Sequence, residues 1–189
     1  LLSKAPLLAV QIIWINLVTG TLVAAPLGFE PKFGDELKQP PRHPKVGLIF
    51  PGFIARNLFM AILLGGGVFL IFAWAQSRMS LDEARTMAFC SMATFEWFLV
   101  LNSRSDEHTI FKLGFFRNRW LLIAILLAIV LQLSVIYLPF FQLIFSTVPL
   151  SLEQWGIIIL ASFTMFIIEE LRKAFFPRLF SFGKWKPLR

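Results

Sequence analysis

The chain has 189 residues, of which 57% are hydrophobic and 15% charged, and its mean hydropathy is +0.73. A soluble domain of this size sits near ~45–50% apolar, so the composition excludes a water-soluble globule and indicates an all-helical membrane protein. A closed barrel is excluded by the lack of period-2 alternation, and nucleic-acid binding is disfavoured because the +7 net charge sits beside the apolar runs.

In chain order, Leu1 stands where an initiator methionine would, and no charged region precedes a short apolar core. The sequence thus reads as cut from a longer protein, without a signal peptide. Five spans are expected, at about 6–25, 54–75, 84–101, 120–138 and 152–168, in one transmembrane domain covering 1–189. The first carries a polar interruption, "INLVTGTLVAAP", from Ile15 to Pro26. The loop after it includes "KQPPRHPK", which proline keeps from being helical throughout. The second span holds Gly65, Gly66 and Gly67, suited to close helix packing or a hinge. Ser80 with Glu83, and Ser151 with Gln154, form capping boxes that start the third and fifth spans. Cys90, the only cysteine, lies in the third span and can form no internal disulfide; buried packing is its expected role. Glu169 and Glu170, with Arg172 and Lys173, close the fifth span as an interfacial salt-bridge cluster. The aromatic and basic tail "FFPRLFSFGKWKPLR" suits an anionic membrane surface.

Charge sets the orientation. Loop 26–53, the start of the second span, loop 102–119 and the tail after Ile168 carry fifteen Lys and Arg, whereas the other side has only Lys4, Arg78 and Arg85. The positive-inside rule then places the C-terminus in the cytoplasm. His43 and His108 fall in the cytoplasmic loops, where solvated histidine is expected, and no phosphate loop, zinc-spaced histidine set or nucleophile elbow occurs.

Two polar features lie inside the spans. Glu96 is the one acidic residue in the middle of a span. A charge there costs about 2.5–3.5 kcal/mol on insertion scales, so it faces the bundle interior or water, or is protonated. It reads either as a cation ligand or proton carrier, or as a neutral carboxyl hydrogen-bonded between helices. Asn16, Thr19 and Gly20 stand at i, i+3 and i+4 and are expected on one helical face. Amide and hydroxyl oxygens suit hard cations, while ordinary interhelical hydrogen bonding is the simpler reading. Gly20 would permit local unwinding, freeing backbone carbonyls for a cation, or close packing.

These motifs resemble a known family. "QIIWINLVTGTLVAAPLGFEP" resembles the sixth transmembrane helix of P-type cation pumps, and "PPRHPKVGLI" the proline-rich loop before the seventh. "ARTMAF" followed by "ATFEWFLVLNSRS" is similar to the eighth helix and its exit, and "LSLEQW" to the start of the tenth. Order and spacing match across nearly the whole chain, nearest to the calcium-pump branch. The resemblance implies helices six to ten of a ten-helix transport domain. It carries cation contact to Asn16, Thr19 and Glu96, with a possible backbone contribution from Gly20, where the family's aspartate falls. It also implies a transported cation, Ca²⁺ or another, with ATP and Mg²⁺ bound in cytoplasmic domains upstream. No catalytic residue is expected in this chain. The implied partners are the lipid bilayer and the upstream helices and domains of the same parent, in the plasma membrane of a prokaryote; no nucleic acid is implied.

The function expected is therefore the membrane part of an ATP-driven pump. Two alternatives stay open: an inactive or repurposed pump relative serving as a scaffold or regulator, and an unrelated secondary transporter with Glu96 as proton carrier.

Overall fold

The computed structural model describes residues 5–31, 51–106, 108–177 and 179. The proline-rich loop, His43 and the end of the basic tail lie outside the described residues. Among the described residues every regular element is helical. The chain begins with α1 (Ala9–Trp14), which runs into a nine-residue π-helical segment (Ile15–Val23) and a 3₁₀ turn (Ala25–Phe29). Then come α2 (Pro51–Gln76), α3 (Leu81–Asn102), the short α4 (Ile110–Leu113), α5 (Arg119–Tyr137), the short α6 (Pro139–Phe145) and α7 (Leu152–Phe175).

Among the described residues, four helical stretches are long and apolar enough to cross a membrane: Ala9–Phe29, Pro51–Gln76, Arg119–Tyr137 and Leu152–Phe175. Their outward faces are aliphatic, as with Ile62, Leu70, Leu126 and Leu160, all more than half exposed. The fifth long helix, α3, is more polar, and its place explains why. It packs against the first helix, α2, α5 and α7, and buries Thr86, Ser91 and Thr94. Ser91 and Thr94 return their hydroxyls to the carbonyls of Met87 and Cys90 one turn back, so their burial leaves no unpaired donor. Cys90 is wholly buried in the same core and accepts a weak bond from Gln132.

Local signals account for several boundaries. Ser80 and Ser151 accept from the amides of Glu83 and Gln154, closing both expected capping boxes. Asn118 caps α5 through the Leu121 amide. Pro139 opens α6 at a position where no amide hydrogen is needed, and Ser146, in the left-handed region at φ 51°, ends it.

Only one of the three mid-span glycines is needed for packing. A β-carbon on Gly67 would lie 2.5 Å from Cζ of the buried Phe95, whereas Gly65 and Gly66 have nothing within 4 Å.

The expected fifth span stops at Ile168, before its charges, yet α7 continues to Phe175. Those charges form the expected salt-bridge cluster, and they do so buried within the bundle. Glu169 is fully buried and is held by Arg56 of α2 at 3.0 Å and by Arg172 at 2.8 Å. Glu170 accepts from Lys173 at 3.0 Å and from the Ile110 amide at 2.8 Å. Lys173 also donates to the last carbonyl of α3, that of Asn102, at 2.7 Å. Each charge has a counter-charge within reach, so the helix can run on through an ionic cluster that ties α2, α3 and α7 together at the basic end of the bundle.

Candidate functional site

The π-segment decides which residues of the first helix face inward. With i→i+5 bonding, each turn holds most of a residue more than an α-turn. The Thr21 hydroxyl donates to the Asn16 carbonyl, five residues back. Residues four apart are then aligned, and those three apart are not. Ile15, Val18, Thr19 and Val23 are buried, while Asn16 and Gly20 are exposed. The expectation that Asn16, Thr19 and Gly20 share a face is therefore corrected: Asn16 and Gly20 share one, and Thr19 lies on another. The amide of Asn16 donates to its own helix, to the Ile12 carbonyl at 3.0 Å.

The Thr19 hydroxyl lies near the Glu96 carboxyl of α3. The same hydroxyl reaches the Ile15 carbonyl at 2.6 Å. A hydroxyl has one hydrogen, and here the Ile15 carbonyl takes it. The second carboxyl oxygen of Glu96, Oε2, is buried and has no hydrogen-bond partner among the described residues. The indole Nε1 of Trp97, the following residue, is also buried and without a hydrogen-bond partner among the described residues. A carboxyl group with too few donors in an apolar interior demands a proton or a cation. Among the described residues no group of three or more His, Cys, Asp and Glu surrounds a common centre.

Two polar clamps fix the first helix on either side of this site. Near its start, Trp14 donates to Gln132 of α5 at 3.1 Å and packs edge-on against Phe145, 5.0 Å between ring centroids. Gln11 donates to the Phe145 carbonyl at 3.0 Å. Beyond the 3₁₀ turn, Glu30 is gripped by Arg104 at 2.7 Å and by the Asn118 amide at 2.7 Å, and Asn118 also donates to the Pro26 carbonyl at 3.1 Å. Sequence reading passes over Glu30, Arg104, Asn118 and Gln132, because their partners lie 74 to 118 residues away and leave no local pattern.

Apolar helices able to span a bilayer define an integral membrane protein. The family model described as the C-terminus of cation-transporting ATPases matches residues 4–175, and the chain belongs to that family, the C-terminal transmembrane region of P-type ATPases. The chain is 38% identical over 171 residues to the calcium-transporting ATPase type 2C member 2 of Rattus norvegicus, covering 89% of this chain and 18% of that protein. It is 31% identical over 175 residues to the probable cation-transporting ATPase F of Mycobacterium tuberculosis strain H37Rv, covering 92% and 19%. Similarity to the calcium-transporting ATPase 1 of Saccharomyces cerevisiae is 35% over 170 residues, covering 89% and 18%. The chain thus spans about a fifth of the length of these relatives.

Proposed function

We propose that this chain is the part of an ATP-driven cation pump that binds the ion and carries its pathway, with Thr19 and Glu96 as direct cation contacts. The observation that supports the reading is Oε2 of the half-buried Glu96, itself buried with no hydrogen-bond partner among the described residues, near a Thr19 hydroxyl that donates to the Ile15 carbonyl. A cation coordinated there would satisfy both oxygens at once. Asn16 and the Gly20 backbone stand on the neighbouring face, which also exposes Ile12. That face is where upstream helices of the parent would pack and bring their own ligands to Asn16. Five crossings, with α3 as the central one, put the basic end of the bundle in the cytoplasm. ATP hydrolysis, through an aspartyl-phosphate, belongs to the upstream domains of the parent.

The test is a screen of cations for stimulation of ATPase activity in the full-length parent, repeated with Glu96→Gln. One or a few cations should stimulate the parent, with apparent affinity weakened at least about tenfold in the variant, the scale of losing one charged contact of ~1.5–3 kcal/mol. Stimulation with unchanged affinity in Glu96→Gln removes that residue from the site. A parent that no cation stimulates favours the inactive relative.

A further inference from the structure

We infer that Glu30, gripped by Arg104 and Asn118, is the positioning residue that holds the first helix in its π register and thereby keeps Thr19 turned toward Glu96. A π-stretch of nine residues is unusual, since π-bonding normally occurs as single-turn bulges. It persists only where the surroundings over-determine it. Here both ends are pinned. Trp14 and Gln11 pin the start to α5 and α6, and Glu30 and Pro26 pin the end to the loop between α3 and α5.

The geometry makes the two ends interdependent. Every residue beyond Trp14 is rotated relative to where a continued α-helix would place it. Reversion to α-bonding with Trp14 fixed must therefore swing Glu30 away from Arg104. While the Glu30 grip holds, reversion is blocked. The grip is strong for its size: both carboxylate oxygens of Glu30 accept from Arg104 Nε, at 3.0 and 3.1 Å, and Oε1 accepts from Nη2 at 2.7 Å. The Arg104 side chain is almost fully buried, and its remaining nitrogen donates to the carbonyls of Gly114 and Phe115. Removing either partner strands a charge, so the pair resists separation.

The α register has a definite consequence. It restores the i, i+3, i+4 relation of Asn16, Thr19 and Gly20, so that all three share a face. The arrangement presented to Glu96 thus depends on bonding register: Thr19 without Asn16 in the π form, and both on one face in the α form. Glu30, outside the site, selects between them. Any effect on cation affinity rests on the pump reading above, but the register itself does not.

The experiment uses the full-length parent with Cys90→Ala and its other cysteines removed. Two pairs, Thr19→Cys with Glu96→Cys and Asn16→Cys with Glu96→Cys, are treated with a short thiol-reactive cross-linker and quantified by mass spectrometry. In the otherwise intact protein the first pair should cross-link and the second should not. In an Arg104→Gln background the first should fall roughly tenfold, the scale of one lost charge-assisted bond, and the second should rise. Asn118→Ser keeps the α5 cap while loosening Glu30, and should shift the pattern the same way by less, which covers a misfolded Arg104→Gln. The exchange Glu30→Arg with Arg104→Glu should restore the first pattern. Equal cross-linking of the two pairs in the intact protein overturns the inference, as does a pattern indifferent to both loosening variants. Cross-linking needs no transport, so a failed pump reading leaves this result standing.

Discussion

Replacing Gly67 by alanine should destabilise the bundle, although alanine is the better helix former. A β-carbon at Gly67 would sit 2.5 Å from Phe95 Cζ and 3.0 Å from Cε2. Phe95 is 2% exposed, so the ring cannot swing clear without moving its neighbours. Overpacking of this kind costs about 1–3 kcal/mol. Exchange of glycine for alanine within a helix returns about 0.8–1.0 kcal/mol. The net change at Gly67 is then a loss of up to about 2 kcal/mol, from the difference of those two ranges. Gly65→Ala and Gly66→Ala provide the internal control, because nothing lies within 4 Å of either position and only the gain should remain. The three variants are compared by thermal unfolding of the full-length protein in detergent. Gly67→Ala should melt below the parent, with Gly65→Ala and Gly66→Ala at or above it, and Phe95→Leu should restore part of the loss. Equal melting of all three variants would refute the claim that Gly67 is a close-packing contact.

Glu169→Gln should be among the most damaging single substitutions, because it leaves Arg56 and Arg172 without their buried counter-charge. A loss of about 3–5 kcal/mol is expected, measured as reduced yield of folded protein or a lowered unfolding midpoint. Asn118→Ala removes both the α5 cap and the link to Pro26 and Glu30, so a loss of about 1–2 kcal/mol should appear in the same assay. Gly20→Asp should be tolerated, since its β-carbon meets only the Ile15 carbonyl, at 3.7 Å. In the full-length protein it should raise apparent affinity for divalent cations, read from the cation dependence of ATPase activity, by supplying a second carboxylate near the site.

The helical class and the approximate place of each long helix are legible because they follow from apolar run length and capping residues, which are local. α3 is found through its Ser80 cap and not through hydropathy alone, since a helix enclosed by others can hold Thr86, Ser91 and Thr94. The four charges at the end of α7 are legible as a salt-bridge cluster, but their burial is not. Only the partners Arg56, Ile110 and Asn102, distant in sequence, show that they are buried and paired. The site is half legible. Glu96 stands out by its charge, and Thr19 by its place in an apolar run. Their relation to Asn16 is misread because a 3.6-residue period assumes an α-helix, and the π register is set by clamps to α5, α6 and the α3–α5 loop that no local pattern reveals.

The central claim is that Glu96 holds a transported cation, and the most direct measurement is the cation dependence of phosphoenzyme formation in full-length protein with and without Glu96→Gln. The account predicts a shift of the activating cation concentration by at least about tenfold in the variant, for loss of one charged contact, with unchanged phosphorylation at saturating cation. Superimposable titration curves for parent and variant would contradict it.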